Sequence, residues 1–127
     1  MKIVVLIARI LLGLVFVVFG SNGFLHFIPM GQLPPGPGGQ FIGAMFQSHH
    51  ILFISAVQVV GGLLLLINRY VPLALVLLGP VIVNILLYHL LMVHTGLVNA
   101  IIVTILWFIV FYRHRQYFSG IFVAKAS

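Results

Sequence analysis

Residues 51–93 read ILFISAVQVVGGLLLLINRYVPLALVLLGPVIVNILLYHLLMV, two apolar runs on either side of Asn68-Arg69-Tyr70. An α-helix that crosses the apolar core of a bilayer needs about 20 such residues, and each run approaches that length. The three residues between the runs leave room only for a tight turn, so the two helices must be antiparallel neighbours. Pro72 suits the first turn of the second helix, where its missing N–H is not needed. This stretch predicts a helical hairpin within a membrane.

The composition of the whole chain agrees with this prediction. Of the 127 residues, 63% are hydrophobic and only 5% are charged, whereas about a quarter of the residues of a soluble domain are charged. Asp, Glu and Cys are absent, which excludes carboxylate acid–base pairs, thiolate catalysis and cysteine-bound metals. The cations are scattered along apolar segments and do not form a stripe for nucleic acid. We expect lipid phosphates or acidic groups of a partner protein as their counter-ions.

Working outward from the hairpin, the sequence predicts an all-α, four-helix transmembrane bundle that forms one domain, residues 1–127. The predicted spans are approximately 3–28, 41–67, 71–93 and 97–112, followed by a basic and aromatic tail, 113–127. The stretch from Pro29 to Gly39 holds four of the six prolines, so we expect it to be non-helical. We expect Phe41 to Phe46 to be interfacial or the outer end of a long helix. Pro80 lies inside the third span and predicts a kink there.

Lys and Arg residues are confined to one end of the predicted bundle: Lys2, Arg9, Arg69, Arg113, Arg115 and Lys125. Short loops rich in Lys and Arg stay in the cytoplasm, so we expect both termini to be cytoplasmic. Five of the six histidines gather at the opposite end: His26, His49, His50, His89 and His94. In a chain without carboxylates or thiols, this histidine-rich end is the place where polar chemistry is available.

Three segments carry a resemblance to a known family: ARILLGLVF at 8–16, QVVGGLLLL at 58–66 and RYVPLALVLLGPVIVNILLYH at 69–89. Together they resemble the DoxX-like family of small four-helix membrane proteins. The resemblance implies association with membrane redox complexes, including quinone-linked ones, rather than a fixed reaction. Many relatives carry a carboxylate on the second helix where this chain has Gln58, so the proton-transfer role of that carboxylate does not carry over. We expect an integral protein of a bacterial inner membrane.

Three polar residues within the predicted spans are candidates for packing between helices: Arg9, Gln58 and Asn84. Arg9 is predicted either to reach the inner headgroups or to contact another helix, with Gln58 within reach. Gln58 shares one face of its helix with His50, which predicts a hydrogen-bonding seam. Asn84 follows Pro80 by one turn and is placed to bond the backbone that the proline disrupts. On the first helix, glycines near the Arg9 face predict close helix contact, at Gly13 and Gly20.

The candidates for ligand binding lie at the histidine-rich end: His89, His50, His26 and Asn22. A quinone headgroup needs one or two hydrogen-bonding groups beside an apolar slot, which these side chains offer. A single imidazole could also ligate haem or a chlorophyll magnesium. No two histidines are spaced i, i+4 on one helix, so no metal site is predicted. The alternative for all these histidines is a plain role as water-accessible groups at the outer interface.

These observations favour a non-catalytic accessory subunit of a larger membrane electron-transfer or photosynthetic complex. Such a subunit would pack against its partners and the bilayer and hold lipid, quinone or pigment. No catalytic residue is predicted. One alternative is a quinone-linked oxidoreductase component of the DoxX type, with the outer histidines exchanging protons. The other is a small transporter or channel, which should show polar stripes along at least two helices, whereas here only the second helix comes close.

Overall fold

The computed structural model describes residues 2–25, 35–94, 96–122 and 124, and within them the chain is helical, without a strand. This confirms the all-α fold class. The helices are α1 (Lys2–Leu25), α2 (Pro37–Gln47), α3 (His50–Ile67), α4 (Val71–Leu87), a π-helical segment (Tyr88–Met92), α5 (Leu97–Arg113) and a 3-10 helix (Arg115–Phe122).

Four helices form the bundle, and α2 lies beside it. The principal contacts join α1 to α3, α3 to α4, α4 to α5, and α5 back to α1, so the helices stand at the corners of a four-sided arrangement. Their shared core takes six residues from α4 and fewer from each of the other helices: Ala8, Leu12, Phe16, Leu65, Val71, Ala74, Leu75, Leu78, Val81, Ile82, Val110 and Phe118. This cluster is apolar, and two polar residues of the described chain are buried outside it, Asn22 and Ser55.

Three helices of the described chain are long and apolar enough to cross a membrane: Lys2–Leu25, His50–Ile67 and Val71–Met92. Only 22% to 33% of the apolar stretch of each is buried inside the protein, so most of their apolar surface faces outward. The α5 helix has 17 residues, or roughly 26 Å at 1.5 Å per residue. It reaches spanning length together with Arg115–Ile121, which is bent away from it by 87°. The fold thus has three to four candidate spans.

Glycines bring α1 and α3 into backbone contact. A Cβ atom built on Gly13 would lie 2.9 Å from the carbonyl oxygen of Gly62, and one built on Gly62 would lie 2.8 Å from that of Gly13. Near the other end, a Cβ on Gly20 would lie 3.0 Å from the carbonyl oxygen of Ser55. Ordinary carbon contacts need about 3.5–4.0 Å. The close approach predicted for Gly13 and Gly20 is therefore present, and it requires glycine.

The turn between α3 and α4 has the antiparallel geometry that its length predicts. Asn68 and Tyr70 both adopt left-handed backbone conformations, with φ of 57° and 54°, which reverses the chain within three residues. Asn tolerates this region better than most residues, because its short polar side chain bonds locally. Pro72 stands in the first turn of α4, as predicted.

Two features of the region before α3 differ from the sequence-based expectation. The expected non-helical stretch ends before Gly39, because Pro37, Gly38 and Gly39 form the first turn of α2. Proline at a helix start loses no hydrogen bond, which allows this. The predicted span 41–67 is divided between α2 and α3 at Ser48 and His49, where His49 is left-handed with φ of 61°. Phe41 to Phe46 thus belong to a separate helix and do not extend α3.

Candidate functional site

A cleft of about 360 Å³ lies where α2 covers the junction of α3 and α4. Its walls come from α2, α3, α4 and the start of the π-helical segment: Phe41, Ile42, Met45, His50, Ile51, Ile54, Gln58, Val81, Asn84, Ile85, Tyr88 and His89. Small-molecule sites in proteins typically have volumes of about 300–1,000 Å³. The cleft is of that class, with mostly apolar walls and a few polar groups.

Helical spacing explains why these residues meet. On α3, the residues His50, Ile54 and Gln58 follow one another at intervals of four, which places them on one face of the helix. On α4, Val81 and Ile85 share that interval and Tyr88 follows three residues later. Because α3 and α4 are antiparallel, the end of α4 lies beside the start of α3. The cleft therefore lies toward the histidine-rich end of the bundle.

His89 is held in a defined orientation. Its Nδ1 lies 3.2 Å from the carbonyl oxygen of Val93. Because a carbonyl oxygen can only accept, Nδ1 carries the proton in this bond and Nε2 of the neutral ring is an acceptor. Gly96 packs against the imidazole, since a Cβ there would lie 3.0 Å from its Cε1, and Gly96 has φ of 84°. The ring also meets Tyr88 edge-on, with centroids 5.1 Å apart.

The π-helical segment determines where the last cleft residues point. Its wider turn is closed by a bond from the Val93 N–H to the Tyr88 carbonyl oxygen, 2.9 Å long. Single π-helical turns are rare and are frequent at functional sites. Tyr88 and His89 are the first two residues of this segment, and both line the cleft. The wider turn follows them and brings the carbonyl oxygen of Val93 within 3.2 Å of His89 Nδ1.

Asn84 satisfies part of the backbone near Pro80. Its Nδ2 donates to the carbonyl oxygen of Pro80, at 3.1 Å. A proline leaves without its helical partner the carbonyl of the residue four positions earlier, here Val76, so the bond from Asn84 is not to the carbonyl that Pro80 frees. The indole N–H of Trp107 donates to the carbonyl oxygen of Leu75, at 3.1 Å, and so ties α5 to α4 just before the proline. An amide has two N–H groups and an oxygen, so Asn84 retains polar capacity on the cleft side.

Gln58 and Asn84, which were predicted as packing groups, line the cleft together with the ligand candidates His50 and His89. Asn22, another ligand candidate, does not line it; it lies buried on α1, with 8% of its surface exposed. His26 lies outside the described residues. The cleft thus brings together two of the four residues that were predicted to bind a ligand.

Arg9 contacts another helix, and the contact is not to Gln58. Its Nη1 donates to the carbonyl oxygen of Leu65 and, at 3.3 Å, to that of Leu66. The last carbonyls of a helix have no partner within it, and they carry the negative end of the helix dipole. Arg9 therefore caps the end of α3 and fastens α1 to it. The sequence alone does not indicate this acceptor, because backbone carbonyls occur at every position.

Sequence reasoning missed two contributors to the cleft. One is α2, which covers it with Phe41 and Met45; the other is Tyr88, whose ring centroid lies 5.8 Å from that of Phe41. The available signal was the position of Tyr88 beside His89 and one turn after Asn84. The place of α2 had no comparable signal, because it depends on the break at Ser48 and His49.

Within the described part of the chain, no group of three or more His, Cys, Asp or Glu side chains converges as a metal site would require. Comparison with protein-family models, with curated proteins and with solved structures found no match. The residues of the cleft themselves indicate what it can bind. Its polar side chains can donate and accept hydrogen bonds, and its remaining walls are apolar and aromatic, which suits a small amphipathic ring.

Proposed function

We propose that the chain is a non-catalytic subunit of a larger membrane electron-transfer complex and that its cleft holds the headgroup of a quinone. The observation that carries this proposal is the meeting of His50, Gln58, Asn84 and His89 in one apolar cleft formed by separate helices. A quinone has an apolar ring with a carbonyl at each of two opposite edges, so it needs hydrogen-bonding groups at more than one wall. The resemblance to DoxX-like proteins points in the same direction.

The side chains match both redox forms of such a ring. The amide N–H groups of Gln58 and Asn84 and the hydroxyl of Tyr88 are donors for the carbonyl oxygens of a quinone. In the neutral ring of His89 the bond to Val93 places the proton on Nδ1, and Nε2 is then an acceptor that suits the O–H of a quinol. The tail of the ligand would leave between apolar residues such as Ile42 and Met45.

A holding role fits the residues better than a reaction does. The chain has no carboxylate and no cysteine, so proton transfer within the cleft would rest on histidine and tyrosine alone. Electron transfer would need a redox centre that a partner subunit supplies. The outward apolar surface of the helices is available for contact with lipid and with such a partner.

A second occupant is favoured by one specific observation. Imidazoles that ligate a metal commonly donate their other ring N–H to a backbone carbonyl, which aims the ligating nitrogen. The bond from His89 Nδ1 to Val93 is of this kind. A pigment or haem ligated by Nε2 of His89 is therefore the alternative ligand for the same cleft.

We propose further that the chain crosses the membrane four times, with both termini in the cytoplasm. The supporting observation is that Lys2, Arg9 and Arg113 lie together at one end of the bundle, and the positive-inside rule assigns such an end to the cytoplasm. Reporter fusions test this. A fusion at Asn68 should report a cytoplasmic position and a fusion at Gly38 an external one. An external report at Asn68 would refute the orientation.

Ligand content of the purified protein tests the proposed occupant. Protein extracted gently from membranes should carry quinone, measured by solvent extraction and chromatography, in roughly stoichiometric amount. His89→Ala and His50→Ala should each lose most of it. His94→Ala is the matched control, because His94 is exposed at the same end and does not line the cleft.

Four outcomes would count against the proposal. Unchanged quinone in both cleft variants would remove the cleft as the site, and equal loss in His94→Ala would indicate a general effect. Visible absorption bands of haem or chlorophyll that disappear in His89→Ala would select the alternative ligand. Native gels with mass spectrometry test the complex: migration without any redox subunit would refute the accessory role.

A further inference from the structure

A separate pocket, of about 260 Å³ and with polar walls, lies at the opposite end of the bundle from the cleft. The start of α1, the turn after α3 and the end of α5 converge there. The polar residues that line it are Lys2, Arg9, Asn68, Arg113, His114 and Tyr117. We refer to these six residues as the cationic pocket. The quinone proposal makes no use of it.

The charge of this pocket has no counterpart in the chain. Three permanent cations, Lys2, Arg9 and Arg113, line it, while the sequence contains no Asp or Glu. The carbonyl oxygens of Leu65 and Leu66 bond Nη1, only one of the three guanidinium nitrogens of Arg9. Like charges at close range repel one another, so a bound anion would stabilise the arrangement.

The end of α5 completes the pocket. At His114 the chain turns by 87° into the 3-10 helix, which brings Tyr117 to the pocket wall. Phe118 anchors this helix, with 6% of its surface exposed and its ring centroid 4.9 Å from that of Phe111. His114 is oriented by a 2.9 Å contact between its Nδ1 and the carbonyl oxygen of Val110. These contacts fix the position of the 3-10 helix against the bundle.

An apolar groove begins beside the cationic pocket. It runs between α1 and α5, has a volume of about 340 Å³ and is lined by Val4, Ile105, Phe108, Ile109 and Tyr112. Val4 is the neighbour of Val5, which lines the pocket, and Tyr112 is the neighbour of Arg113. The α5 residues of the groove follow the pattern i, i+3, i+4, i+7, so they form one stripe along the helix. A charged site and an apolar groove thus adjoin.

We propose that the cationic pocket binds a phosphate-bearing anion. Arginine and lysine together suit phosphate, which presents several acceptor oxygens to their N–H groups. The adjoining groove favours an anionic phospholipid as the source, with its phosphate among Lys2, Arg9 and Arg113 and an acyl chain against Val4 and Phe108. Free phosphate would use the pocket without the groove.

The test compares three probes on purified protein in a non-ionic detergent: short-chain phosphatidylglycerol, short-chain phosphatidylcholine and inorganic phosphate. Binding is measured by thermophoresis. The test variant is Lys2→Gln with Arg113→Gln, which spares Arg9 because that residue also caps α3. The matched control is Arg69→Gln with Arg115→Gln, which removes the same charge near the same end and lines neither the pocket nor the groove.

We expect phosphatidylglycerol to bind the wild type and the control more tightly than phosphatidylcholine does. The test variant should bind it about 25-fold more weakly, at about five-fold for each cation lost. Inorganic phosphate that binds as tightly as phosphatidylglycerol, with the same loss in the test variant, would support the pocket and identify free phosphate as the source. Equal binding by the test variant and the wild type would overturn the proposal. So would an equal loss in the control, or equal affinity for the two lipids.

Discussion

Gly62 offers a sharp test of the packing between α1 and α3. A Cβ at this position would lie 2.8 Å from the carbonyl oxygen of Gly13 and 2.9 Å from the backbone nitrogen of Val17. Ordinary contacts begin at 3.4 Å, so α1 would have to retreat by 3.4 minus 2.8, or 0.6 Å. Backbone atoms cannot rotate out of the way as a side chain can. Gly62→Ala should therefore separate the two helices.

The cost follows from known overpacking. Adding a methyl group to a packed interior costs about 1–3 kcal/mol. Replacing glycine by alanine also restricts the unfolded chain, which stabilises by about 0.4–1 kcal/mol whatever the surroundings. The control Gly120→Ala isolates that second effect, because no atom lies within 4 Å of a Cβ at Gly120. Gly62→Ala should thus be less stable than Gly120→Ala by about 1–3 kcal/mol.

Unfolding by a denaturing detergent, followed by far-ultraviolet circular dichroism, gives the free energy of unfolding for each variant. Gly13→Ala should behave like Gly62→Ala, because each Cβ meets the other residue's carbonyl oxygen. The double variant should cost less than the sum, since one separation of the helices makes room for both methyl groups. Equal stability of Gly62→Ala and Gly120→Ala would refute the close backbone contact.

Two further substitutions test the polar contacts between helices by the same unfolding measurement. Arg9→Met removes the bonds to the carbonyls of Leu65 and Leu66 and should lower the free energy of unfolding by about 1.5–3 kcal/mol. The control Arg69→Met, at an exposed residue, should change it by less than about 0.5 kcal/mol. Similar small losses in both variants would refute the capping role of Arg9. Trp107→Phe keeps an aromatic ring to stack on Phe111 but loses the bond to the Leu75 carbonyl. We expect the free energy of unfolding to fall by about 0.5–1.5 kcal/mol. An unchanged free energy would indicate that the bond does not contribute to stability.

The helices and their close contacts were accessible from the sequence because they follow from apolar run length, turn length and glycine spacing. The hairpin around Asn68 and the contact at Gly13 are examples. The break at His49 was not accessible, since His49 is one of several polar residues at 47–50 and none of them is a glycine or proline that would mark where the helix ends. The π-helical turn at Tyr88 also has no signal in the sequence, because it differs from an α-helix by a single residue in one turn.

The candidate site, too, was predictable from the sequence only in part. His50 and His89 stand out because polar residues are rare in this chain, and their helical faces predict where they lie. Their acceptors and neighbours do not stand out: Val93 and Gly96 orient His89 through a carbonyl oxygen and through the absence of a side chain. Asn22 shows the limit of the reasoning, since it lies near the same end by sequence but belongs to the buried face of α1.

The position of the cleft follows from the contrast between the two interfaces of α3. Toward α1, glycines allow backbone contact, and Arg9 bonds the last carbonyls of α3, so the described helices pack closely there. Toward α4, Gly61 lies against the side chain of Leu78, and the helix beyond it contains Pro80 and changes to a π-helical turn at Tyr88. The cleft residues of α4 lie from just after the proline to the start of the π-helical turn. The cleft therefore lies beside the part of α4 that holds the proline and the π-helical turn, and its opposite wall is α3, which is packed closely against α1.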